Sequence, residues 1–312
     1  MNEDKIHILV TLNENYLEPL KTMLVSLVHN NFLEDIDIWL IHQSISDEKI
    51  EELKNFTSFI NCGLHVIKID EDYFTNAPVS KKYPKEMYFR LLAPVILPSY
   101  LNKIIYLDPD ILVINSIRPL WELDFQEMVF AASAHTGLTD ISQDINNLRL
   151  GTEHAYYNTG VIAIDLTKAK KIIKKESIFS HIEESIITSL LLPDQDIFNA
   201  LYGKMTLEIP DEIWNYDTRK FSKYITRTMG TVDFPWIIKN TVILHYCGKS
   251  KPWKVNSTSR FHALHKHYQN LTDRYETAVA VKVGDVVEDK KKELPRVTLG
   301  TVFDTDQNSS TL

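Results

Sequence analysis

Lys103-Ile104-Ile105-Tyr106-Leu107-Asp108-Pro109-Asp110-Ile111-Leu112-Val113-Ile114 is an apolar run broken by two carboxylates one residue apart. In extended backbone, side chains at i and i+2 point to one side, and a proline biases the residue before it toward extended geometry. The run therefore predicts a buried strand with Asp108 and Asp110 on one face at its end. Two such carboxylates repel and lose hydration when buried, and a cation between them relieves that cost. Oxygen ligands suit a hard divalent ion such as Mg²⁺ or Mn²⁺, whose usual partner is a phosphate. The competing reading is a strand-end turn whose aspartates cap backbone amides. The flanks favour the cation: an apolar strand before the pair, a β-branched run after it, then Arg118-Pro119-Leu120-Trp121.

Working toward the amino terminus, positions 6–12, 36–41 and 64–69 read as buried strands. A helix between the first two puts Leu17, Leu20, Leu24, Leu27 and Val28 on one face. A second, starting near Ser46, carries Ile50, Leu53, Phe56 and Ile60 at helical spacing. This β-α-β-α-β order predicts an α/β protein with a mostly parallel, Rossmann-like central sheet flanked by helices. A helix over 85–95, with Met87, Tyr88, Leu91 and Leu92 inward, leads into the central run.

Toward the carboxyl terminus, strands are expected at 128–134, 158–164 and 241–244. Segment 137–157 is polar and aperiodic and reads as a functional loop. Residues 167–175 read as a basic helix, either a solvated face or a lipid or acidic-partner patch. Pro193-Asp194-Gln195-Asp196 opens a helix with proline and acids in its favoured first turn, and 257–271 should be helical. Past about Asp273 the character changes. Residues 1–272 read as one domain, and 273–312 as a small extension, partly disordered at its end, for acceptor or partner contact.

The 312 residues are 24% charged and 44% hydrophobic, an ordinary globular composition. Lys plus Arg is 34 against 42 Asp plus Glu, a net charge of −8. No global basic field exists to hold nucleic acid. No apolar run approaches the roughly 20 residues of a membrane span, so membrane contact is expected to be peripheral at most. Met1-Asn2-Glu3-Asp4-Lys5 is no signal peptide. Two cysteines, Cys62 and Cys247, show no pairing pattern, which fits a reducing cytoplasm.

His245 ends an apolar strand, as Asp108 does, and strand ends of one sheet converge on one crevice. Adding an imidazole to two carboxylates moves metal preference toward Mn²⁺, although a lone strand-end His is often a structural residue. Gly248 permits close backbone approach, and with Lys251 it makes Gly-Lys-Ser-Lys-Pro-Trp resemble a phosphate clamp or, more plainly, a surface turn. Asp194-Gln195-Asp196 either caps its helix or binds sugar hydroxyls, and Asn158 could do the latter. Arg90 faces a phosphate or sugar, or makes a surface ion pair. His262 and His265, one helical turn apart, could bind metal but have no evident acidic partner. Cys247 reads as a buried small hydrophobe.

The ensemble resembles glycosyltransferase family eight, the group of bacterial lipopolysaccharide galactosyl- and glucosyltransferases and glycogenin. The matching stretches are Ile8-Leu9-Val10-Thr11-Leu12-Asn13-Glu14-Asn15-Tyr16, Tyr88-Phe89-Arg90-Leu91, Ile105 through Val113, Tyr157-Asn158-Thr159-Gly160-Val161, Asp194-Gln195-Asp196-Ile197-Phe198-Asn199, and His245-Tyr246-Cys247-Gly248-Lys249-Ser250-Lys251-Pro252-Trp253. They fall in family order over about residues 5–265. The resemblance implies a GT-A fold and a retaining transferase with a UDP-sugar donor, UDP-galactose or UDP-glucose. Its acceptor would be a glycan, glycoprotein or lipid-linked saccharide. It implies Asp108, Asp110 and His245 as ligands of Mn²⁺, with Mg²⁺ as second choice. It puts Thr11, Asn13, Asn15 and Tyr16 on the uridine, and Gly248 and Lys251 on the diphosphate. Arg90, Asn158, Asp194 and Gln195 would surround the transferred sugar, with Gln195 beneath its reactive face.

Two positions depart from the family pattern: Asn13 where an acid is common, and His135 where an aspartate near the sugar is common. Gln195, an amide, is a poor nucleophile, so front-face attack is favoured over a two-step route; Asp194 is the alternative nucleophile. Three rivals use the same features. An aspartyl phosphatase would place its Asp-x-Asp after the first strand, not after three. A sugar nucleotidyltransferase would carry a glycine-rich loop where Asn13-Glu14-Asn15 stands. A non-catalytic nucleotide-sugar-binding homologue would be expected to lose ligands that are all present here.

Overall fold

The structure, a computed structural model, describes residues 5–74, 86–134, 141–187, 193–254 and 260–283. Ten strands are present: β1 (Ile6–Thr11), β2 (Ile36–His42), β3 (Cys62–Lys68), β4 (Lys103–Leu107), β5 (Ile111–Val113), β6 (Phe130–Ala134), β7 (Tyr157–Asp165), β8 (Thr206–Glu208), β9 (Tyr216–Asp217) and β10 (Ile243–His245). Seven form the central sheet in the order β3-β2-β1-β4-β7-β6-β8. All run one way except β7, which is antiparallel to both β4 and β6. Three more form a small sheet, β5-β10-β9.

The strands are apolar on both faces because helices cover both faces. Ile6, Ile8 and Val10 of β1, with Ile36, Ile38 and Leu40 of β2, pack toward the helices Leu17–Asn30 and Asp47–Phe59. Leu9, Trp39, Ile104 and Tyr106 point the other way, toward the helices Glu86–Ile96 and Pro193–Tyr202. Ser46 caps Asp47–Phe59 by accepting from the Lys49 amide, as its place before the apolar period requires. Among the described residues, no helix is long and apolar enough to cross a membrane.

Several expectations are corrected. The central run is two strands, not one. β4 stops at Leu107, Pro109 and Asp110 turn, and β5 begins at Ile111 in the other sheet. Pro109 has no N–H for a ladder, and pairing changes partner around it: the Asp108 amide bonds Gly160 O, while Asp110 O accepts from Tyr246. Segment 137–157 is not all loop, since Ile141–Leu150 is a helix; 135–140, with His135, lie outside the described residues. The basic helix is Leu166–Ile172, followed by a second helix, Lys175–Ile187. Its lysines are not merely a solvated face. Lys168 and Lys170 donate to backbone carbonyls of Met128 and of Pro98 and Leu101. The last helix, His262–Val283, runs through Asp273; residues 284–312 lie outside the described set.

Candidate active site

β10 pairs antiparallel with β5, with His245 opposite Ile111. That register sets the imidazole beside the Asp-Pro-Asp turn. Asp108, Asp110 and His245 each offer a ligand atom within 4.8 Å of the others, forming the one such group of three among the described residues. His245 Nε2 lies 3.3 Å from Asp110 Oδ1 and 3.9 Å from Asp108 Oδ2. β7 closes the cradle with Gly160. A Cβ there would fall 2.3 Å from His245 Cε1 and 2.8 Å from Asp108 Oδ2. Two carboxylates, one imidazole and a missing side chain where the cradle must stay open fit a divalent ion.

Amide groups orient the imidazole. The Gly160 N–H donates to Asn158 Oδ1 (3.0 Å), which also accepts from Asn215 Nδ2 (2.9 Å). Asn215 therefore turns its oxygen to His245 Nδ1, 2.8 Å away. An amide oxygen only accepts, so Nδ1 carries the proton and Nε2 faces the acids. Asn158 Nδ2 in turn donates to Gln195 Oε1 at 3.2 Å. A single chain of hydrogen bonds thus joins the proposed metal ligand to the proposed sugar-facing amide.

Arg90 is buried, not a surface ion pair. Its guanidinium lies 4.5 Å from the Tyr106 ring centre, 3.1 Å from Asp108 and 3.5 Å from Asp194, and donates to Thr159 O at 2.8 Å. Tyr106 donates to Asp108 Oδ1 (2.6 Å) and meets the Thr11 hydroxyl at 3.4 Å. Burial raises the Asp194 pKa, and Arg90 draws it back only in part. Burial would raise Asp110 too, but His245 and Lys251 outweigh it and hold that carboxyl well below its usual range. Lys251 bonds Asp110 and donates to Tyr246 O.

The other expected residues lie at the rim. Asn13 caps the turn Glu14–Tyr16 by accepting from the Asn15 amide, and the Tyr16 ring sits 6.2 Å from Trp253 in an edge contact. Gly248 has φ +81, and a Cβ there would strike Arg219 Nη1 at 2.4 Å. Asp196 is fully buried and paired with Arg149 at 2.6 Å and Tyr156 at 2.5 Å, which makes it an anchor for its helix. His265 is buried against Tyr246 and Trp253 with Nδ1 unpartnered, and burial lowers its pKa to about 4. Cys247 is buried and unpaired with Cys62. No sequence pattern marks Asn215. It is one amide after a tryptophan, and only the fold brings it to His245.

Comparison with known proteins shows the family and the fold. The family model described as glycosyl transferase family 8 matches residues 7–257. General stress protein A of Bacillus subtilis is 28% identical over 278 residues, 87% of this chain and 96% of that protein. A lipopolysaccharide 1,2-glucosyltransferase of Escherichia coli is 29% identical over 252 residues, 78% of this chain and 71% of the relative. Among solved structures, the galactosyltransferase LgtC with donor and acceptor sugar analogues superposes with TM-score 0.72 at 20% identity, covering 85% of this chain and 96% of that one. Its fold is the fold described here.

Proposed function

The chain belongs to glycosyl transferase family 8, and on that premise we propose that it is a retaining, metal-dependent hexosyltransferase. It takes galactose or glucose from a UDP-sugar and adds it to a hydroxyl of a glycan, glycoprotein or lipid-linked saccharide. The observation that carries this reading is the convergence of Asp108, Asp110 and His245 beside Asn158 and Gln195. The hexose specificity of the named glucosyl- and galactosyltransferases supports it. Action in a bacterial-type cytoplasm, with at most peripheral membrane contact, completes the proposal.

Asp108, Asp110 and His245 hold the cation, Mn²⁺ before Mg²⁺. Bound there, it supplies Lewis acidity that offsets the charge gained by the leaving diphosphate. Thr11, Asn13, Asn15 and Tyr16 hold the uridine. Lys251 shares the leaving charge, and Gly248 gives the phosphates access to backbone. Arg90 keeps Asp108 and Asp194 in place; Asn158, Asp194 and Gln195 position the hexose. Gln195 is an amide, and Asp194 is engaged by Thr159 (3.2 Å) and Arg90. Both facts favour front-face substitution. The acceptor oxygen bonds to the anomeric carbon on the side that the phosphate oxygen leaves. The bond electrons go to UDP, whose departing oxygen takes the acceptor proton.

A nucleotide-sugar hydrolysis screen with and without Mn²⁺ tests this. UDP release is expected from UDP-galactose or UDP-glucose only with the metal, and Asp110→Asn should lower it at least about a hundredfold. Equal turnover by that variant contradicts the assignment.

A further inference from the structure

On the outer side of the 248–251 turn lies a cleft of about 400 Å³. Lys251 reaches inward from this turn to Asp110, while Ser250 faces the cleft. Arg219, Arg260 and His262 line it, with Thr218 and Ser222 over a Phe221 floor, and among the described residues no carboxylate lines it.

Of the two guanidinium groups Arg260 carries the freer one, because that of Arg219 is already engaged by a carboxylate. Arg219 spends Nε and Nη2 on Asp217, at 2.9 and 2.7 Å, and lays Nη1 against Gly248, where no side chain intervenes. Arg260 stacks on Phe221, with its guanidinium carbon 4.1 Å from the ring centre, and the described residues offer it no ion pair. Stacking fixes the plane of a guanidinium and leaves its edge donors for an anion. Thr218 donates to His245 O at 3.2 Å, so the cleft wall is tied to the strand that carries the proposed metal ligand.

We propose that this cleft is an anion subsite for the acceptor, and that it takes a saccharide bearing a phosphate group. The proposal rests on the transferase reading above. The donor diphosphate belongs to the Asp110 and Lys251 side of the turn, so an anion on the far side belongs to the second substrate. The Arg260 edge, the N–H groups of Arg219 that Asp217 leaves over and the hydroxyls of Ser222 and Ser250 offer more donors than the two oxygens of a carboxylate can use; a phosphate has enough acceptors.

The test uses full-length protein loaded with Mn²⁺ and UDP, titrated with glucose 1-phosphate, methyl glucoside or methyl glucuronoside. Glucose 1-phosphate should bind at least about tenfold tighter than methyl glucoside. Arg260→Gln should remove most of that preference while changing Mn²⁺–UDP affinity less than about threefold, and Arg260→Lys should restore part of it. Equal binding of the phosphorylated and neutral sugars, or of the glucuronoside and the phosphate, overturns the subsite. A collapse of Mn²⁺–UDP affinity in Arg260→Gln would assign the cleft to the donor instead. Absence of Mn²⁺–UDP binding in the unmodified protein overturns the transferase reading and the acceptor assignment with it. Normal nucleotide binding without a phosphate preference overturns the subsite alone.

Discussion

Asn215 shows how much one uncharged side chain can decide. It touches neither proposed substrate, yet its oxygen fixes which imidazole nitrogen of His245 faces Asp108 and Asp110. Removing it takes away the oxygen that holds that N–H and frees the ring to turn. Such supporting contacts commonly carry 10- to 100-fold in metal affinity. Asn215→Ala should therefore weaken Mn²⁺ binding by roughly that factor in calorimetry, with the fold intact by circular dichroism. A loss below threefold would show that the ring is held by other means. This residue was invisible in the sequence, whereas Asp108, Asp110 and His245 were legible because acids and an imidazole at apolar strand ends are costly without a purpose.

At the scale of elements, the site depends on how the helix Pro193–Tyr202 is tied to β7. Asn199 does this by acting as a short strand edge. Its oxygen accepts from the Tyr157 amide at 2.7 Å, and its nitrogen donates to Tyr157 O and Gln195 O, both at 2.8 Å. Asn199→Ala would orphan buried backbone groups at the point where Gln195 meets Asn158. Urea unfolding should show a loss of about 2–4 kcal/mol; a loss under ~0.5 kcal/mol would mean that water replaces the amide. The elements also divide by legibility. β1 and β2 could be read because both faces of each strand are buried, leaving near-continuous apolar runs; β3, at the sheet edge, is half-buried. The break between β4 and β5 could not, because Pro109 also favours extended backbone on paper. The helix Ile141–Leu150 leaves Ile145 and Leu148 exposed at 57% and 87%, so it has little of the one-sided burial that marks a helix in sequence. The strands β8 and β9 have three and two residues, too few for any period.

Across the whole molecule, stability should depend on pH through histidines that burial keeps neutral. His265 has its pKa lowered to about 4, first by burial and then by Lys266 and His262, with Asp110 opposing. Burial also lowers His7 and His42. The unfolded chain, with histidines near their ordinary value of 6.5, takes up protons first as pH falls. The stabilisation is thus complete above about pH 6.5 and is lost progressively toward pH 4. For His265 alone the loss at pH 5 is on the order of 2 kcal/mol, and urea unfolding at pH 7.5 and 5.0 should show it shrink in His265→Gln; parallel profiles would exclude the effect. The same whole-molecule view explains why the site is scattered along the chain from Thr11 to Lys251. Each contributor stands at an end of β1, β4, β7 or β10, or on a helix packed there, and these ends meet through the order of the central sheet and the β5–β10 pairing of the small one.

Asp108, Asp110 and His245 would together grip one divalent cation and, through it, the nucleotide diphosphate. Anomalous diffraction from a crystal soaked with MnCl₂ and UDP tests it most directly. One manganese peak bonded to all three side chains and to diphosphate oxygens is the expected result. A peak elsewhere, or UDP bound with no manganese at those residues, would contradict it.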